Sequence, residues 1–429
     1  GEFDLQPDLP ESDSRDDWNT VSIALGDVNG DNYLDIVFGN TAENQLLLGR
    51  GDGTFDLQPD LPGGNEETKS LVLADVNGDG ALDLVVSSRD SNQLLLGTTG
   101  GGFAEVPSEV GEASNLPGGS SVTTSVVLGD LNGDGALDIV IGNSDGANQL
   151  LLDKRSQTVA MTATVLPGGR WESYAAALGD VNGDGALDLV IANHGYHDGP
   201  ELDQLLLGKP GGGFADAASD LDSHSTRTSP WQEFPGKRTT SMALGDVNGD
   251  GFLDIVFGHP YGVWSARAEM QSIQLLLGRG DGEFDLQPEL LSGDRHTYSV
   301  ALGDVNNDGA LDIVVGNSPG RAPSWQAGNQ LLLGQGDGTF ALQPDLPGGS
   351  RGTKFVALGD VNGDSALDIV VGNRPCGHHS DCSYTANQLL LGRGDGTFDL
   401  QPDLPGGSKD THAVALGDVN GDMALDIVI

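Results

Sequence analysis

The chain has 429 residues, with 64 Asp and Glu against 20 Lys and Arg, for a formal net charge of −44. That balance excludes nucleic acid as a partner, and no apolar run is long enough to cross a bilayer as a helix, so membrane insertion is excluded too. Gly is abundant at 66 residues but recurs at fixed places in turns, which speaks for a repeat and against disorder.

In chain order, the first segment is Gly1-Glu-Phe-Asp-Leu-Gln-Pro-Asp-Leu-Pro10, an extended stretch with two prolines. From there a unit repeats. An apolar run of four to six residues leads into an acidic loop, and a second apolar run follows. A variable insert comes next, then Asn-Gln-Leu-Leu-Leu-Gly, a Gly-Asp turn, and again Phe-Asp-Leu-Gln-Pro-Asp-Leu-Pro. Each run is rich in Val, Ile and Leu and bounded by Gly, Asn or Asp, which predicts four short strands, A to D, with no helix-period segment. Proline cannot donate to a ladder, so D is expected at the outer edge of each sheet. Units of about 50 residues with four strands each predict an all-β fold, a β-propeller of four-stranded antiparallel blades.

The acidic loops all read D-x-N-x-D-x-x-x-D. The first holds Asp27, Asn29, Asp31, Tyr33 and Asp35 at positions 1, 3, 5, 7 and 9, and the second Asp75, Asn77, Asp79, Ala81 and Asp83. Next come Asp130, Asn132, Asp134, Ala136 and Asp138, then Asp180, Asn182, Asp184, Ala186 and Asp188. The fifth has Asp246, Asn248, Asp250, Phe252 and Asp254, the sixth Asp304, Asn306, Asp308, Ala310 and Asp312. Asp360, Asn362, Asp364, Ala366 and Asp368 form the seventh, and Asp418, Asn420, Asp422, Ala424 and Asp426 the eighth. Side-chain oxygens at 1, 3, 5 and 9 with the carbonyl at 7 are the donor set a calcium ion takes, so up to eight Ca²⁺ are expected. Eight such ions would reduce the charge from −44 to −28. Position 6 calls for positive φ; Ser365 and Met423 stand there in the last two loops, which are expected to bind calcium more weakly.

On these residues the chain resembles the FG-GAP/VCBS repeat family, the calcium-loop propellers also found in integrin α-subunit heads. The resemblance implies that the loop joins strands A and B and that calcium fixes this hairpin. It also implies an extracellular or cell-surface setting. Strand counting leads to one propeller domain over residues 1–429, with eight blades and seven as the alternative. The last blade would be closed by the N-terminal D strand against the A and B strands of residues 411–429. A start in mid-repeat reads as a window from a longer repeat-containing chain, and the near-identical D strands raise self-assembly into an array.

The remaining motifs fall in turns and inserts. Arg50-Gly-Asp52, Arg279-Gly-Asp281 and Arg393-Gly-Asp395 lie at the C–D turn and read as turn residues. Cys376 and Cys382 suit a local disulfide, or a zinc site with His378 and His379. Strand alternation puts the A–B and C–D turns at one end and the B–C and D–A loops at the other. Trp18, Trp171, Tyr196, His197, Trp231, Tyr261, Trp264, Trp325 and Tyr384 all fall on the second end, with all eight His. This rim is expected to contact a protein or a glycan. No catalytic set is apparent; a polysaccharide lyase would draw on Tyr196, His197 and Arg267. The expected function is a non-enzymatic adhesion, matrix or structural module, with a lectin and a lyase as alternatives.

Overall fold

Short apolar runs between Gly and Asn punctuation become strands throughout the computed structural model. It describes residues 9, 19–62, 67–89, 91–106, 116, 121–153, 161–170, 172–193, 203–209, 211–214, 239–260, 272–288, 290, 295–318, 328–349, 351–374, 386–405 and 411–429. Two compact units divide the chain: Gly1–Trp171 with Lys209–Gly213 and Ala413–Ile429, and Glu172–Gly208 with Phe214–His412.

In the first unit, the first blade is β1 (Thr20–Gly26), β2 (Asp35–Asn40), β3 (Gln45–Gly49) and β4 (Phe55–Leu57). The second is β5 (Thr68–Ala74), β6 (Asp83–Ser88), β7 (Asn92–Thr98) and β8 (Gly102–Glu105), and the third β9 (Thr123–Gly129), β10 (Asp138–Asn143), β11 (Ala147–Leu152) and β12 (Thr162–Arg170). In the second unit, the fourth blade has β13 (Ser173–Gly179), β14 (Asp188–Asn193) and β15 (Gln204–Leu206). Among the described residues a bridge between Gly208 and Phe214 stands where its fourth strand is expected. The fifth is β16 (Ser241–Gly245), β17 (Asp254–Gly258), β18 (Ile273–Gly278) and β19 (Phe284–Leu286). The sixth is β20 (His296–Gly303), β21 (Asp312–Ser318), β22 (Gln330–Gly334) and β23 (Phe340–Leu342). The seventh is β24 (Gly352–Gly359), β25 (Asp368–Arg374), β26 (Gln388–Gly392) and β27 (Phe398–Leu400). A hairpin of β28 (Ala415–Gly417) and β29 (Asp426–Val428) belongs to the first unit.

Each sheet follows chain order and is antiparallel. The first strands of successive blades lie against each other, β1 on β5 on β9 in one unit and β13 on β16 on β20 on β24 in the other. Strand A is therefore innermost, and strand D, with its prolines just beyond it, lies at the outer edge as expected.

The expectation of eight blades is corrected: among the described residues the structure has seven, and β28–β29 is a two-stranded hairpin with no third or fourth strand described beside it. Closure of a ring by residues 1–10 is not shown, because residues 1–8 and 10 lie outside the described residues. Leu9 is described, and it packs on the cluster formed by Ile36, Phe38, Leu47, Val419 and Val428.

The core lies between blades. Every residue of β2, β6, β10, β14, β17 and β21 is buried, which is why the B runs are continuous in Val, Ile and Leu instead of alternating. Val37, Leu46 and Val28 meet Leu71, Leu84 and Leu95 of the next blade. In the other unit Val256 and Leu275 meet Ile313 and Leu332. Each such side chain contributes on the order of 1.5–3 kcal/mol relative to exposure.

Candidate metal loops and loop rim

Register makes every A–B loop the same frame. The residue before position 1 pairs with position 9 in all eight copies, from Gly26 with Asp35 to Gly417 with Asp426. Within the first loop, Oδ1 of Asp27 accepts from the amides of Gly30 (2.7 Å) and Asp31 (3.0 Å), and Oδ2 accepts from Asn32 (2.8 Å). The side-chain Oδ1 of Asn29 accepts from the Asp31 amide at 2.9 Å, and Oδ1 of Asp31 accepts from the Tyr33 amide at 2.8 Å. The seventh loop repeats this, with Asp360 accepting from Gly363, Asp364 and Ser365 at 2.7, 3.1 and 2.7 Å.

This winding needs two left-handed residues. Position 6 has positive φ in all eight loops, including Asn32 (69°), Ser365 (69°) and Met423 (70°). Position 4 does as well, from Gly30 (77°) to Gly421 (77°), with Asn307 (57°) the one non-glycine. Sequence reasoning overlooked position 4, although the recurring Asn-Gly-Asp carried the signal.

Position 9 has a structural task that the sequence did not disclose. In the first seven loops this Asp is fully buried. One oxygen of Asp35 accepts from the Val28 amide at 2.7 Å, tying the loop back on itself, and the other accepts from the Gly49 amide at 2.7 Å, tying it to the end of β3. The third-strand contact recurs at Asp83, Asp138, Asp188, Asp254, Asp312 and Asp368, at 2.7–2.9 Å. At Asp426, which has no third strand beside it, the oxygen takes the Asn420 side-chain amide at 3.2 Å instead.

The electrostatics of the loops bear on a cation. Burial is the main cause that lifts position 9 above the ordinary carboxylate range, to about 6 at Asp138 and Asp254. The carboxylates at positions 1 and 5 raise Asp138, Asp254, Asp312, Asp368 and Asp426 further by like-charge repulsion. Three mutually repelling carboxylates with an amide oxygen and a carbonyl form an all-oxygen donor set that fits a hard cation. Among the described residues no three His, Cys, Asp or Glu side chains are already gathered as a metal cluster. Here the loop carboxylates are satisfied by backbone amides.

The C–D turns lie beside these loops. A Cβ on Gly51 would fall 2.1 Å from the Tyr33 ring, so this position admits only Gly. All three Arg-Gly-Asp tripeptides are in this turn. Arg50 pairs with Asp56, its Nε donating at 2.8 Å, and Asp52 accepts from the Thr54 amide at 3.0 Å. Arg393 forks onto Asp399 at 2.8 and 2.6 Å in the same way, and Arg279 pairs with Asp285.

The proposed rim residues Trp18, Trp171, Tyr196, His197, Trp231, Tyr261, Trp264, Trp325 and Tyr384 lie outside the described residues, as do Cys376, Cys382, His378, His379 and Arg267. What the structure does show at the B–C and D–A end is a latch between blades. Asn44, at the start of strand C, accepts from the Asn40 amide at 2.9 Å and from the Thr68 hydroxyl of the next blade at 2.8 Å. Asn329 and Asn387 do the same with Thr353 and Thr411. His259 replaces the strand-B Asn in the fifth blade and is buried between Thr239 (3.2 Å) and Gln274 (3.3 Å), so it belongs to the latch and not to an exposed rim.

The FG-GAP-like repeat family profile matches residues 27–86, 75–141, 130–191, 180–257 and 258–315. Integrin alpha-3 of Cricetulus griseus is 28% identical over 149 residues, covering 31% of this chain and 14% of that protein. Human integrin alpha-IIb is 31% identical over 169 residues, covering 36% and 15%. A solved Agrocybe aegerita lectin that recognises non-reducing terminal N-acetylglucosamine aligns over 75% of this chain and 79% of its own, at 18% identity and a TM-score of 0.48. The chain thus spans about one seventh of the integrin relatives it matches.

Proposed function

From a chain that belongs to the FG-GAP-like repeat family, we propose a calcium-stabilised, extracellular, non-enzymatic interaction module of the adhesion type. The observation that carries the reading is the eightfold recurrence of the A–B loop, with one register, one oxygen set and the amides of positions 5 and 6 donating to the carboxylate of position 1 in every copy. In each loop the side chains at positions 1, 3, 5 and 9 and the carbonyl at position 7 would hold the ion. Calcium would neutralise the repelling carboxylates and brace the A–B hairpin. The integrin alpha relatives support an adhesion role and a cell-surface setting; no helix among the described residues is long and apolar enough to cross a membrane.

The contact surface is placed at the B–C and D–A end. The A–B end is built of near-identical loops and turns, whereas the other end carries the variable inserts. The test is the melting temperature with millimolar calcium and after chelation. A rise with calcium is expected, and an unchanged melt would sink the calcium reading. Adhesion of cells to immobilised protein tests the interaction role separately.

A further inference from the structure

Two clips recur where one blade meets the next. Between the first and second blades the Thr68 hydroxyl donates to Asn44 at 2.8 Å, and the Ser22 hydroxyl accepts from the Leu71 amide at 3.1 Å. Between the sixth and seventh, Thr353 donates to Asn329 at 2.9 Å and Ser299 accepts from the Val356 amide at 3.2 Å. The fifth blade has Ile273 in place of the Asn but keeps the second clip, with Ser241 accepting from the Val300 amide of the sixth at 3.0 Å.

Close approach of the blades makes the first clip possible. Gly39 pairs with Ser22 across the first blade, and a Cβ on it would fall 2.7 Å from Cγ2 of Thr68. A Cβ on Gly316 would meet Thr353 at 2.8 Å, and one on Gly258 would meet Thr297 at 2.9 Å. A side chain at this position must displace the threonine of the next blade, because the seam is already close-packed.

The second blade carries Ser87 there, paired with Ser70 on one side and Asn92 on the other. At the seam that follows, the Thr123 hydroxyl of the third blade donates within its own blade, to Asn143 at 3.0 Å. Asn92 Oδ1 and the Ser87 hydroxyl are buried with no hydrogen-bond partner. Among the described residues no bond joins Ser70 to the Val126 amide, so the second clip is missing as well. Apolar packing closes this seam, with Val85 and Leu94 against Val126 and Ile139.

We propose that the seam between the second and third blades is the joint at which the first unit opens, β9 parting from the second blade while the first and second blades stay clipped. Ser87 is the wedge. Its Cβ keeps Thr123 away from Asn92, and the closed seam then leaves two polar atoms dry. Parting gives both atoms water, whereas at the first seam the Asn and Thr groups are already bonded and parting would break those bonds. Local opening of a fold follows the places with the fewest bonds to break. The apolar cluster around Val126 opposes it, so the open form is the minor one.

The test is hydrogen exchange of the full chain read by mass spectrometry, with rates corrected for sequence. Amides of Thr123–Gly129 in β9 should exchange about tenfold faster, or more, than those of Thr68–Ala74 in β5. Ser87→Gly, the residue at Gly39 and Gly316, should let Thr123 reach Asn92 and slow β9 by a similar factor, with β5 unchanged. Ser87→Ala keeps the wedge and should leave β9 faster than β5. Equal protection of β9 and β5 in the unaltered chain, or exchange of β9 unmoved by Ser87→Gly, would overturn the joint. The comparison inside the unaltered chain needs no variant, and neither outcome depends on calcium or on the contact surface proposed above.

Discussion

The hydroxyl of Thr353 donates to Oδ1 of Asn329 at 2.9 Å, joining the innermost strand of the seventh blade to the third strand of the sixth. The same oxygen accepts from the Asn317 amide at 2.8 Å, so one buried side chain serves two blades. Asn92 holds the equivalent place in the second blade, yet its Oδ1 is buried with no hydrogen-bond partner, as is the Ser87 hydroxyl paired across from it. There the Ser88 amide donates to the Ser91 carbonyl instead.

Two substitutions at one repeat position should therefore differ. Asn329→Ala leaves a buried amide unsatisfied and is expected to cost about 1–3 kcal/mol, whereas Asn92→Ala should cost less. Urea unfolding of both variants checks this; equal losses would mean the latch contributes nothing beyond packing.

The pH dependence of the metal-free chain should run against that of the calcium-loaded chain. Burial raises Asp138 and Asp254 to about 6 from the ordinary 3.8, so the folded state holds protons the unfolded state has released. Stability of the desalted, metal-free protein should fall as pH rises from about 4 to about 6 and then level off. Calcium needs these groups ionised, so its stabilising increment should shrink as pH drops through the same window. Melting curves at several pH values, with and without calcium, decide; a metal-free chain that gains stability as pH rises would contradict the assignment.

Met423 holds a φ of 70° while 93% exposed, so its side chain gives little packing in return for a left-handed backbone. Met423→Gly should stabilise the metal-free chain by about 0.5–1 kcal/mol and tighten calcium at the loop beginning at Asp418. Chemical denaturation and a calcium titration of the variant measure both effects.

Cell adhesion should be indifferent to Asp395→Glu. Oδ1 of Asp395 accepts from the amide and the hydroxyl of Thr397 at 2.9 and 2.5 Å, and Arg393 is held on Asp399, so both ends of the tripeptide serve their own turn. Loss of adhesion in the variant would restore the tripeptide as a ligand.

Local chemistry alone determined the repeat, the four strand types, the outer place of strand D and the left-handed turn at position 6, since each rests on apolar period, proline or glycine. Tertiary structure decided the rest. That Asp35 is a staple to Gly49, that Asn44 bridges to Thr68, and that the sixth and seventh A strands bulge at Tyr298 and Lys354 all depend on partners 14 to 24 residues away, which the local pattern of a single strand does not reveal. Blade number was decided there too: an A–B pair reads like the start of a blade, but among the described residues β28–β29 pairs with no further strand and stands as a hairpin.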